Sequence, residues 1–397
     1  MSRFHSYLNS VVSILSLYKG EEPFGPFIKK YFAANKKYGS TDRKIISHLC
    51  YCYFRTGKSM PGIPVEERIL TGLFLQSNEP NTLLEELKPV WNQQTGLSIK
   101  EKISFLQLAD YSSTLFPWVN ELSKDINKEA FVFSHLVQPD LFLRLRPGKE
   151  EQVKQKLRKA GISFQLISAN CIALLNSSKI EGILELDKEA VVQDYSSQRV
   201  GEFMKMVRQG QVDLERPGPS DPLRVWDCCA ASGGKSILAK DILGDIDLIV
   251  SDKRESILLN LEKRFQQAGI TDYESFVVDL SKPLQNYLST FNLIIADVPC
   301  TGSGTWSRTP EQLFYFKAEA IDEYAALQKK IVSNVITQLE PGGYFLYITC
   351  SVFKKENEDM VEFIKEKFYL QLLNMELLKG YSLKADTLFT ALLKKPL

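Results

Sequence analysis

Two cysteines of this sequence follow apolar segments that are typical of buried β-strands. Cys300 ends the run Asp297-Val-Pro-Cys300, and Cys350 is the centre of Thr349-Cys-Ser351. A lone cysteine is usually a small buried hydrophobic residue. Two cysteines at the ends of neighbouring parallel strands, however, would meet at the sheet edge where ligands bind. The pair therefore predicts covalent catalysis by a thiolate.

Methylation of a pyrimidine carbon is a reaction that needs such an arrangement. C5 of cytosine is a poor nucleophile, and addition of a thiolate to C6 makes it electron-rich. A carboxylic acid near N3 stabilises the developing charge, and the thiol is eliminated after the C5 proton leaves. Asp297 is the candidate carboxyl group. The residues alone do not say which cysteine is the nucleophile. An enzyme that methylates an amino group would more often have an aromatic residue at position 300.

The segment 227–235 reads Asp-Cys-Cys-Ala-Ala-Ser-Gly-Gly-Lys and lies between a predicted strand and a predicted helix. Gly233 and Gly234 permit a tight turn next to a ligand. The segment matches neither the dinucleotide-binding pattern G-x-G-x-x-G nor the P-loop. Asp252 and Asp279 follow the next two predicted strands, where carboxylates bind groups of a nucleoside. The pattern therefore favours S-adenosyl-L-methionine, a nucleoside cofactor without a pyrophosphate.

Strands and helices alternate in the second half of the chain. The predicted strands are 224–226, 248–251, 275–278, 293–296, 344–349 and 388–394, and the predicted helices are 236–242, 256–268, 310–339 and 356–368. This alternation predicts an α/β fold with a doubly wound, mostly parallel, Rossmann-like sheet.

The first half of the chain predicts two further domains. Residues 1–125 read as a helical N-terminal domain, in which Ser40-Thr41-Asp42 has the pattern of a helix N-cap. Residues 126–195 read as a small α/β unit like an RNA-recognition motif, with a strand at 141–145, a helix at 150–160 and a strand pair at 164–167 and 171–175. The run 216–222, dense in Pro and Gly, predicts a linker or loop, and 196–397 is the third predicted domain.

Composition excludes several classes of protein. The chain has 397 residues and a formal net charge of +1, which argues against a uniformly basic nucleic-acid binder. Residues 1–60, however, contain ten Lys or Arg and three Asp or Glu, a net charge of +7. Three scattered histidines and seven cysteines without a zinc or disulfide spacing predict no metal and reduced thiols. No apolar run is long enough to cross a membrane, and no signal peptide is evident. We expect a cytoplasmic monomer.

The motifs resemble the signature blocks of the RsmB/Nol1/Nop/Sun family of RNA cytosine-5 methyltransferases. These motifs are 227–235, 297–304 and 349–351, the last followed by Glu356-Asn357. Residues 193–198 resemble the family's entry to the catalytic domain, and 388–394 resemble its last strand. Residues 38–43 are similar to the helical N-terminal domain of the rRNA-modifying members. The resemblance covers nearly the whole chain. It implies a class I methyltransferase fold over 196–397, S-adenosyl-L-methionine as cofactor and ribosomal RNA as substrate.

The resemblance also implies roles by position. Cys350 is the nucleophile at C6, Cys300 assists product release, Asp297 lies near N3 of the flipped base, and Lys235 lies beside that carboxylate. The implied cofactor-binding residues are Asp227, Cys229, Ala230, Ala231, Gly233, Gly234, Lys235, Asp252, Arg254, Asp279 and Asp297. Cys300 stays the rival nucleophile, because DNA cytosine methyltransferases use a thiol that follows a proline.

Three departures from the family pattern are Ser232 for proline, Thr301 for serine and 385–388 for Asp-Gly before the aromatic residue of the last strand. The alternatives are a tRNA cytosine-5 methyltransferase, a non-catalytic RNA-binding or ribosome-assembly factor, and an N-methyltransferase. Candidate RNA contacts are Trp306, Arg308 and Phe314 and the basic residues Arg144, Arg146, Lys149, Lys154, Lys156, Arg158 and Lys159, for which core packing or a solvated helix surface is the alternative.

Overall fold

The computed structural model describes residues 3–108, 110–212, 222–284 and 290–397. All of the predicted linker 216–222 except Pro222 lies outside the described residues. The chain divides into two compact units. The helical unit comprises Met1–Leu122, Ile126–Gln138 and Thr305–Ala318, and the sheet unit comprises Ser123–Asp125, Pro139–Gly304 and Glu319–Leu397. The predicted division into three domains stays a prediction.

Helices and strands follow one another as the sequence patterns predict, with a few differences. The α-helices are α1 (Arg3–Leu17), α2 (Phe24–Ala34), α3 (Ser40–Arg55), α4 (Val65–Gln76), α5 (Thr82–Leu87), α6 (Pro89–Asn92), α7 (Ile99–Phe105), α8 (Tyr111–Leu115), α9 (Lys128–Ser134), α10 (Glu150–Lys159), α11 (Tyr195–Val212), α12 (Gly234–Leu243), α13 (Glu255–Ala268), α14 (Pro310–Tyr315), α15 (Glu319–Val335) and α16 (Glu358–Phe368). The strands are β1 (Leu141–Leu145), β2 (Gln165–Ser168), β3 (Cys171–Leu174), β4 (Ala190–Val192), β5 (Leu223–Asp227), β6 (Ile246–Asp252), β7 (Glu274–Val277), β8 (Phe291–Asp297), β9 (Leu339–Thr349), β10 (Gln371–Leu378) and β11 (Leu388–Lys394). In the described ranges, no helix combines the length and the apolar character that a membrane crossing requires.

The helical unit confirms the predicted helical character of the N-terminal region. Its α3 begins at Ser40, so the N-cap is Gly39 and not a residue of the predicted group 40–42. Asp42 still serves this helix end, because its Oδ2 accepts a hydrogen bond from the Gly39 N–H at 3.0 Å. The first turn of α3 is thereby capped by one of its own residues, because the Asp42 carboxylate binds the N–H of the N-cap residue.

The segment Thr305–Ala318 packs within the helical unit, and this corrects two predictions. The single helix predicted over 310–339 is two helices, α14 and α15, because the chain changes unit between Ala318 and Glu319. Trp306 is only 1% exposed and packs against Phe316 at 4.6 Å between ring centroids. It is therefore a core residue and not available to stack on a base. Phe314, which is half-buried, packs on aromatic residues of α3.

A small antiparallel sheet, with strand order β2-β3-β1-β4, forms the first part of the sheet unit. It confirms the predicted strands, while β4 was not predicted. Arg144 on β1 is only 2% exposed and forms an ion pair with Asp241 of α12. Arg144 is therefore not part of an RNA-binding face, because its charge is already paired inside the protein. Arg158 and Lys159 on α10 are exposed.

A seven-stranded sheet forms the rest of the unit, in the order β10-β11-β9-β8-β5-β6-β7. Strands β5 to β9 are all parallel, and β11 is antiparallel to both its neighbours. This confirms the predicted doubly wound, Rossmann-like fold; only β10 was missed. Buried residues of α11, α12 and α13 pack on one face, and each fully buried aliphatic side chain there contributes about 1.5–3 kcal/mol. The carboxyl ends of the five parallel strands consequently lie at one edge.

Candidate active site

A cavity of about 540 Å³ lies at the carboxyl ends of the parallel strands. This volume is within the range of small-molecule sites. The structure brings eight of the predicted site residues to its wall: Cys229, Ala231, Asp252, Arg254, Asp279, Asp297, Cys300 and Cys350. The other predicted residues, Asp227, Ala230, Gly233, Gly234 and Lys235, are not among its lining residues. They belong to the end of β5 and to the loop and helix that follow it, which carry part of the wall.

Asp227 lies beneath this loop, fully buried at the end of β5. The Ser236 hydroxyl donates a hydrogen bond to its Oδ2 at 2.6 Å. Burial raises the pKa of Asp227 to about 7, because the charged form loses its hydration. Asp227 is thus placed to hold the first turn of α12 under the loop and does not itself line the cavity.

Two loop residues adopt left-handed backbone conformations. Ala231 has φ of +45°, and its N–H donates a hydrogen bond to Asp252 Oδ2 at 3.1 Å. Gly233 has φ of +82°, and a Cβ at this position would lie 2.6 Å from the Phe265 ring. Glycine is therefore required at position 233 both by its backbone angle and by the close approach of α13.

The carboxylates of Asp252 and Asp279 are held by neighbouring groups. The Arg254 N–H donates to Asp252 Oδ1 at 2.9 Å, while Asp279 accepts from Ser281 and forms a 3.0 Å ion pair with Lys253. The Ser281 and Lys253 contacts lower the pKa of Asp279 to about 2, so this carboxylate is ionised at neutral pH.

Apolar side chains complete the cavity wall beside these carboxylates. They are Val278, Leu280, Val298, Pro299, Leu327 and Ile331. Carboxylates that accept hydrogen bonds from ribose and amino groups, next to apolar side chains that cover a base, form a set of groups suited to a nucleoside. The residues present therefore fit S-adenosyl-L-methionine.

Lys235 forms an ion pair with Asp297 next to the cavity. Its Nζ lies 2.9 Å from Asp297 Oδ2 and donates a second hydrogen bond to Ser197 Oγ at 2.8 Å. The lysine is mostly buried, whereas the Asp297 side chain stays 30% exposed. This geometry fixes the direction of the Asp297 carboxylate and leaves part of it open to a ligand.

The two catalytic candidates, Cys300 and Cys350, face each other with 3.1 Å between their Sγ atoms. This distance exceeds the ~2.05 Å of a disulfide bond, and both cysteines are free thiols. The hydrogen bond with Cys350, together with burial, raises the pKa of the Cys300 thiol. Cys300 therefore keeps its proton at neutral pH.

Glu356 links the loops that carry the two cysteines, a role that sequence reasoning missed. Its Oε1 accepts hydrogen bonds from the Thr301 N–H at 2.9 Å and from Gln328 Nε2 at 3.0 Å. Its Oε2 accepts from the Thr301 hydroxyl at 2.6 Å and from the Ser351 hydroxyl. Burial raises the pKa of Glu356, although these donors favour its charged form. The only signal in the sequence was the Glu356-Asn357 pair, to which the motif assigned no role.

Backbone contacts also join these loops. The Gly304 N–H donates to the Cys350 carbonyl at 2.8 Å, and the Gly304 carbonyl accepts from the Thr387 N–H at 2.9 Å. A Cβ at Gly304 would overlap the Thr387 carbonyl oxygen. The segment preceding β11, which departs from the family pattern, therefore still supports the Cys350 loop.

Parts of this chain are similar to known proteins. Residues 217–391 match the family model described as 16S rRNA methyltransferase RsmB/F. The chain is 30% identical over 143 residues to ribosomal RNA small subunit methyltransferase F of Aeromonas salmonicida, an alignment that covers 36% of this chain and 30% of that protein. It is 24% identical over 316 residues to probable ribosomal RNA small subunit methyltransferase B of Synechocystis, covering 76% of this chain and 68% of that protein. The alignment with the first relative thus spans about a third of its length.

Solved structures share the fold. The crystal structure of PH0851 superposes with a TM-score of 0.68 at 16% identity, over 92% of this chain and 93% of that chain. NSun6 from Pyrococcus horikoshii, determined with SFG, superposes with a TM-score of 0.58 at 14% identity, over 70% and 97%. Residues 217–391 therefore match the RsmB/F methyltransferase family, and the two solved structures show that the chain shares their fold.

Proposed function

We propose that this protein methylates C5 of a cytosine in ribosomal RNA, with S-adenosyl-L-methionine as methyl donor. The observation that carries the proposal is the 3.1 Å approach of the Cys300 and Cys350 thiols at the wall of a nucleoside-sized cavity. The names of the relatives, which describe ribosomal RNA methyltransferases, support the choice of RNA.

The cofactor would lie against the wall that contains Ala231, Asp252 and Asp279. The Asp252 carboxylate would accept hydrogen bonds from the ribose hydroxyls, and Asp279 from the adenine amino group. S-adenosyl-L-methionine, when bound, supplies an electrophilic methyl group on a sulfonium. The negative charge of Asp279 persists at neutral pH, since its pKa is lowered to about 2.

Cys350 begins the reaction on the base. Its thiolate adds to C6 of cytosine, a bond forms between Sγ and C6, and the electron pair of the C5–C6 double bond moves toward C5 and the N3 side of the ring. Asp297 would lie beside N3, and the Lys235 ammonium that is paired with it would offset the negative charge that develops there. C5, now electron-rich, would take the methyl group from the sulfonium, and the donor's carbon–sulfur bond would break to leave S-adenosylhomocysteine.

Elimination restores the aromatic ring. A base removes the C5 proton, the C5–C6 double bond forms again, and the bond between C6 and Sγ of Cys350 breaks. The protonated Cys300 thiol donates a hydrogen bond to the departing sulfur, because its raised pKa keeps the proton on Cys300. The target base must leave its stack to reach this site, which costs a few kcal/mol.

The test combines methyl transfer with adduct trapping. The purified protein is incubated with small-subunit rRNA and donor labelled in the methyl group, and 5-methylcytosine is mapped. We expect Cys350→Ala to abolish transfer, whereas Cys300→Ala accumulates a covalent protein–RNA adduct that the double variant does not form. Cys171→Ala, a buried thiol of β3 outside the cavity, is the control and should methylate at the wild-type rate.

Each alternative function predicts another outcome of this experiment. A tRNA methyltransferase would label tRNA and leave rRNA unlabelled. A non-catalytic RNA-binding or assembly factor would bind RNA without any transfer. An N-methyltransferase would keep its activity after loss of both thiols, and transfer by Cys350→Ala at the wild-type rate would refute the covalent mechanism.

A further inference from the structure

The cofactor loop contains a serine, Ser232, between two residues with left-handed backbone angles. Ala231 has φ of +45° and Gly233 has φ of +82°. A left-handed conformation costs a non-glycine residue about 1–2 kcal/mol. The loop will keep this shape only if surrounding groups hold it. The N–H of Ala231 is held by Asp252, but this contact does not reach Ser232.

Arg264 of α13 holds Ser232 directly. Its Nη1 donates hydrogen bonds to the Ser232 carbonyl at 2.9 Å and to the Ser232 hydroxyl at 3.0 Å. One guanidinium nitrogen thus binds both the backbone and the side chain of the loop residue. The following residue of α13, Phe265, lies against Gly233, so this helix contacts two consecutive loop positions.

Asp187 fixes the other side of the Arg264 guanidinium. Arg264 Nε donates to Asp187 Oδ2 at 2.9 Å, and Nη2 donates to Oδ1 at 2.7 Å. The pair is bidentate and largely shielded, since the Arg264 side chain is 23% exposed and that of Asp187 is 9% exposed. Asp187 is in turn held by the turn before β4, where its N–H donates to the Ala190 carbonyl at 2.8 Å. A planar guanidinium with both sides bound has a fixed orientation.

Neither Arg264 nor Asp187 lines the cavity. Both act on it only through Ser232, whose neighbour Ala231 does line it. Proline, the residue usual at position 232 in the resembled family, restricts φ by its ring. Serine has no such restriction, and the two hydrogen bonds from Arg264 supply the constraint instead.

We propose that Arg264 is a positioning residue for the cofactor subsite, which keeps the Ala231–Gly233 turn in its binding conformation from outside the cavity. Asp187 orients Arg264 for this role. The inference rests on the proposed function, since the subsite is the one assigned to S-adenosyl-L-methionine. Because the loop binds the donor and not the base, Arg264 affects donor affinity rather than the bond-making steps at Cys350.

Titration calorimetry with S-adenosyl-L-methionine and with S-adenosylhomocysteine tests the inference without turnover. We expect Arg264→Ala to raise Kd about tenfold, equivalent to about 1.4 kcal/mol. In methylation assays its KM for the donor should rise to the same extent, while kcat at saturating donor changes less than about threefold. Asp187→Asn should weaken donor binding in the same direction.

A second substitution separates loop positioning from general destabilisation. Ser232→Pro in the Arg264→Ala background should restore Kd to within about threefold of wild type, because the ring supplies the lost constraint. Arg224→Ala, which removes an ion pair with Asp247 at the amino end of β5, is the matched control and should bind the donor as wild type does.

The outcomes separate a failure of the proposed function from a failure of the role given to Arg264. Wild-type protein that binds neither ligand would refute the proposed function itself. Wild-type protein that binds them, together with an Arg264→Ala variant of equal affinity, would refute only the role of Arg264. A double variant that stays as weak as Arg264→Ala would also overturn it, since the loss would then not arise from loop freedom.

Discussion

Removal of Glu356 is the perturbation for which the structure predicts the largest effect without touching a reacting atom. Glu356 is completely buried and accepts four hydrogen bonds, two on each carboxylate oxygen. In Glu356→Ala the Thr301 N–H and one N–H of the Gln328 amide lose their acceptor, while the other Gln328 N–H keeps the Pro299 carbonyl at 3.0 Å. The hydroxyls of Thr301 and Ser351 can rotate toward each other, since their oxygens lie 3.2 Å apart.

The expected loss of stability follows from the two N–H donors that are left without an acceptor. A buried donor left without an acceptor costs about 1–3 kcal/mol. Relief of the buried negative charge of Glu356 offsets part of this cost, so we expect Glu356→Ala to lower the free energy of unfolding by about 3 kcal/mol. Glu356→Gln keeps an oxygen for both N–H groups and offers its NH₂ to the two hydroxyls. This variant should lose about 1 kcal/mol or less.

Urea unfolding measures these free energies, and Glu362→Ala is the matched control. Glu362 is an exposed residue of α16 with an i,i+3 ion pair to Lys365, and its loss should cost less than about 0.5 kcal/mol. The kcat of Glu356→Ala should also fall by about 100-fold, because the spacing of the two thiols is no longer held. A Glu356→Ala protein with the same free energy of unfolding as the control, or one that is less destabilised than Glu356→Gln, would refute the reasoning.

Three further predictions concern stability and RNA affinity. Burial lowers the pKa of His135 to about 4, below its unfolded value of about 6.5. As the pH falls from 6.5 to 4, the unfolded chain binds a proton on this residue before the folded chain does, so the free energy of unfolding should fall by up to about 3 kcal/mol. In His135→Phe the urea midpoint should lose this part of its pH dependence. Gly304→Ala should lower the free energy of unfolding by about 2 kcal/mol or more in the same assay, since its Cβ would overlap the Thr387 carbonyl. Arg158→Ala with Lys159→Ala should reduce the slope of log affinity for rRNA against log salt by about 2, whereas an unchanged slope in filter binding would exclude these residues from the RNA contact.

Much of the candidate site could be predicted because chain order and strand direction imply position. Asp252, Asp297 and Cys350 each stand at the end of an apolar segment, and parallel strands bring such ends to one edge. The same local patterns could not decide between RNA contact and core packing for Trp306, and they did not show that Arg144 is paired inside the protein. Exposure of an aromatic or basic side chain depends on the elements that pack over it, and those elements lie far away in the sequence.

The boundaries of the helices show the same distinction. The apolar periodicity of 310–339 is compatible with one helix, yet α14 belongs to the helical unit and α15 to the sheet unit. A periodic pattern reports which face of a helix is buried and says nothing about the unit against which it is buried. Strand β10 was missed because its burial pattern, in which all of the first six residues are exposed or half-exposed, does not alternate.

The sequence by itself determined the doubly wound fold, the identity of the two thiols and the carboxylates that surround them. These depend on residue types and on order along the chain, which local propensity and strand direction translate into position. Only the tertiary structure decided that the thiols approach to 3.1 Å, that Glu356 joins their loops and that Arg264 holds Ser232. Such contacts join residues between 32 and 55 positions apart, and their geometry depends on how whole elements pack.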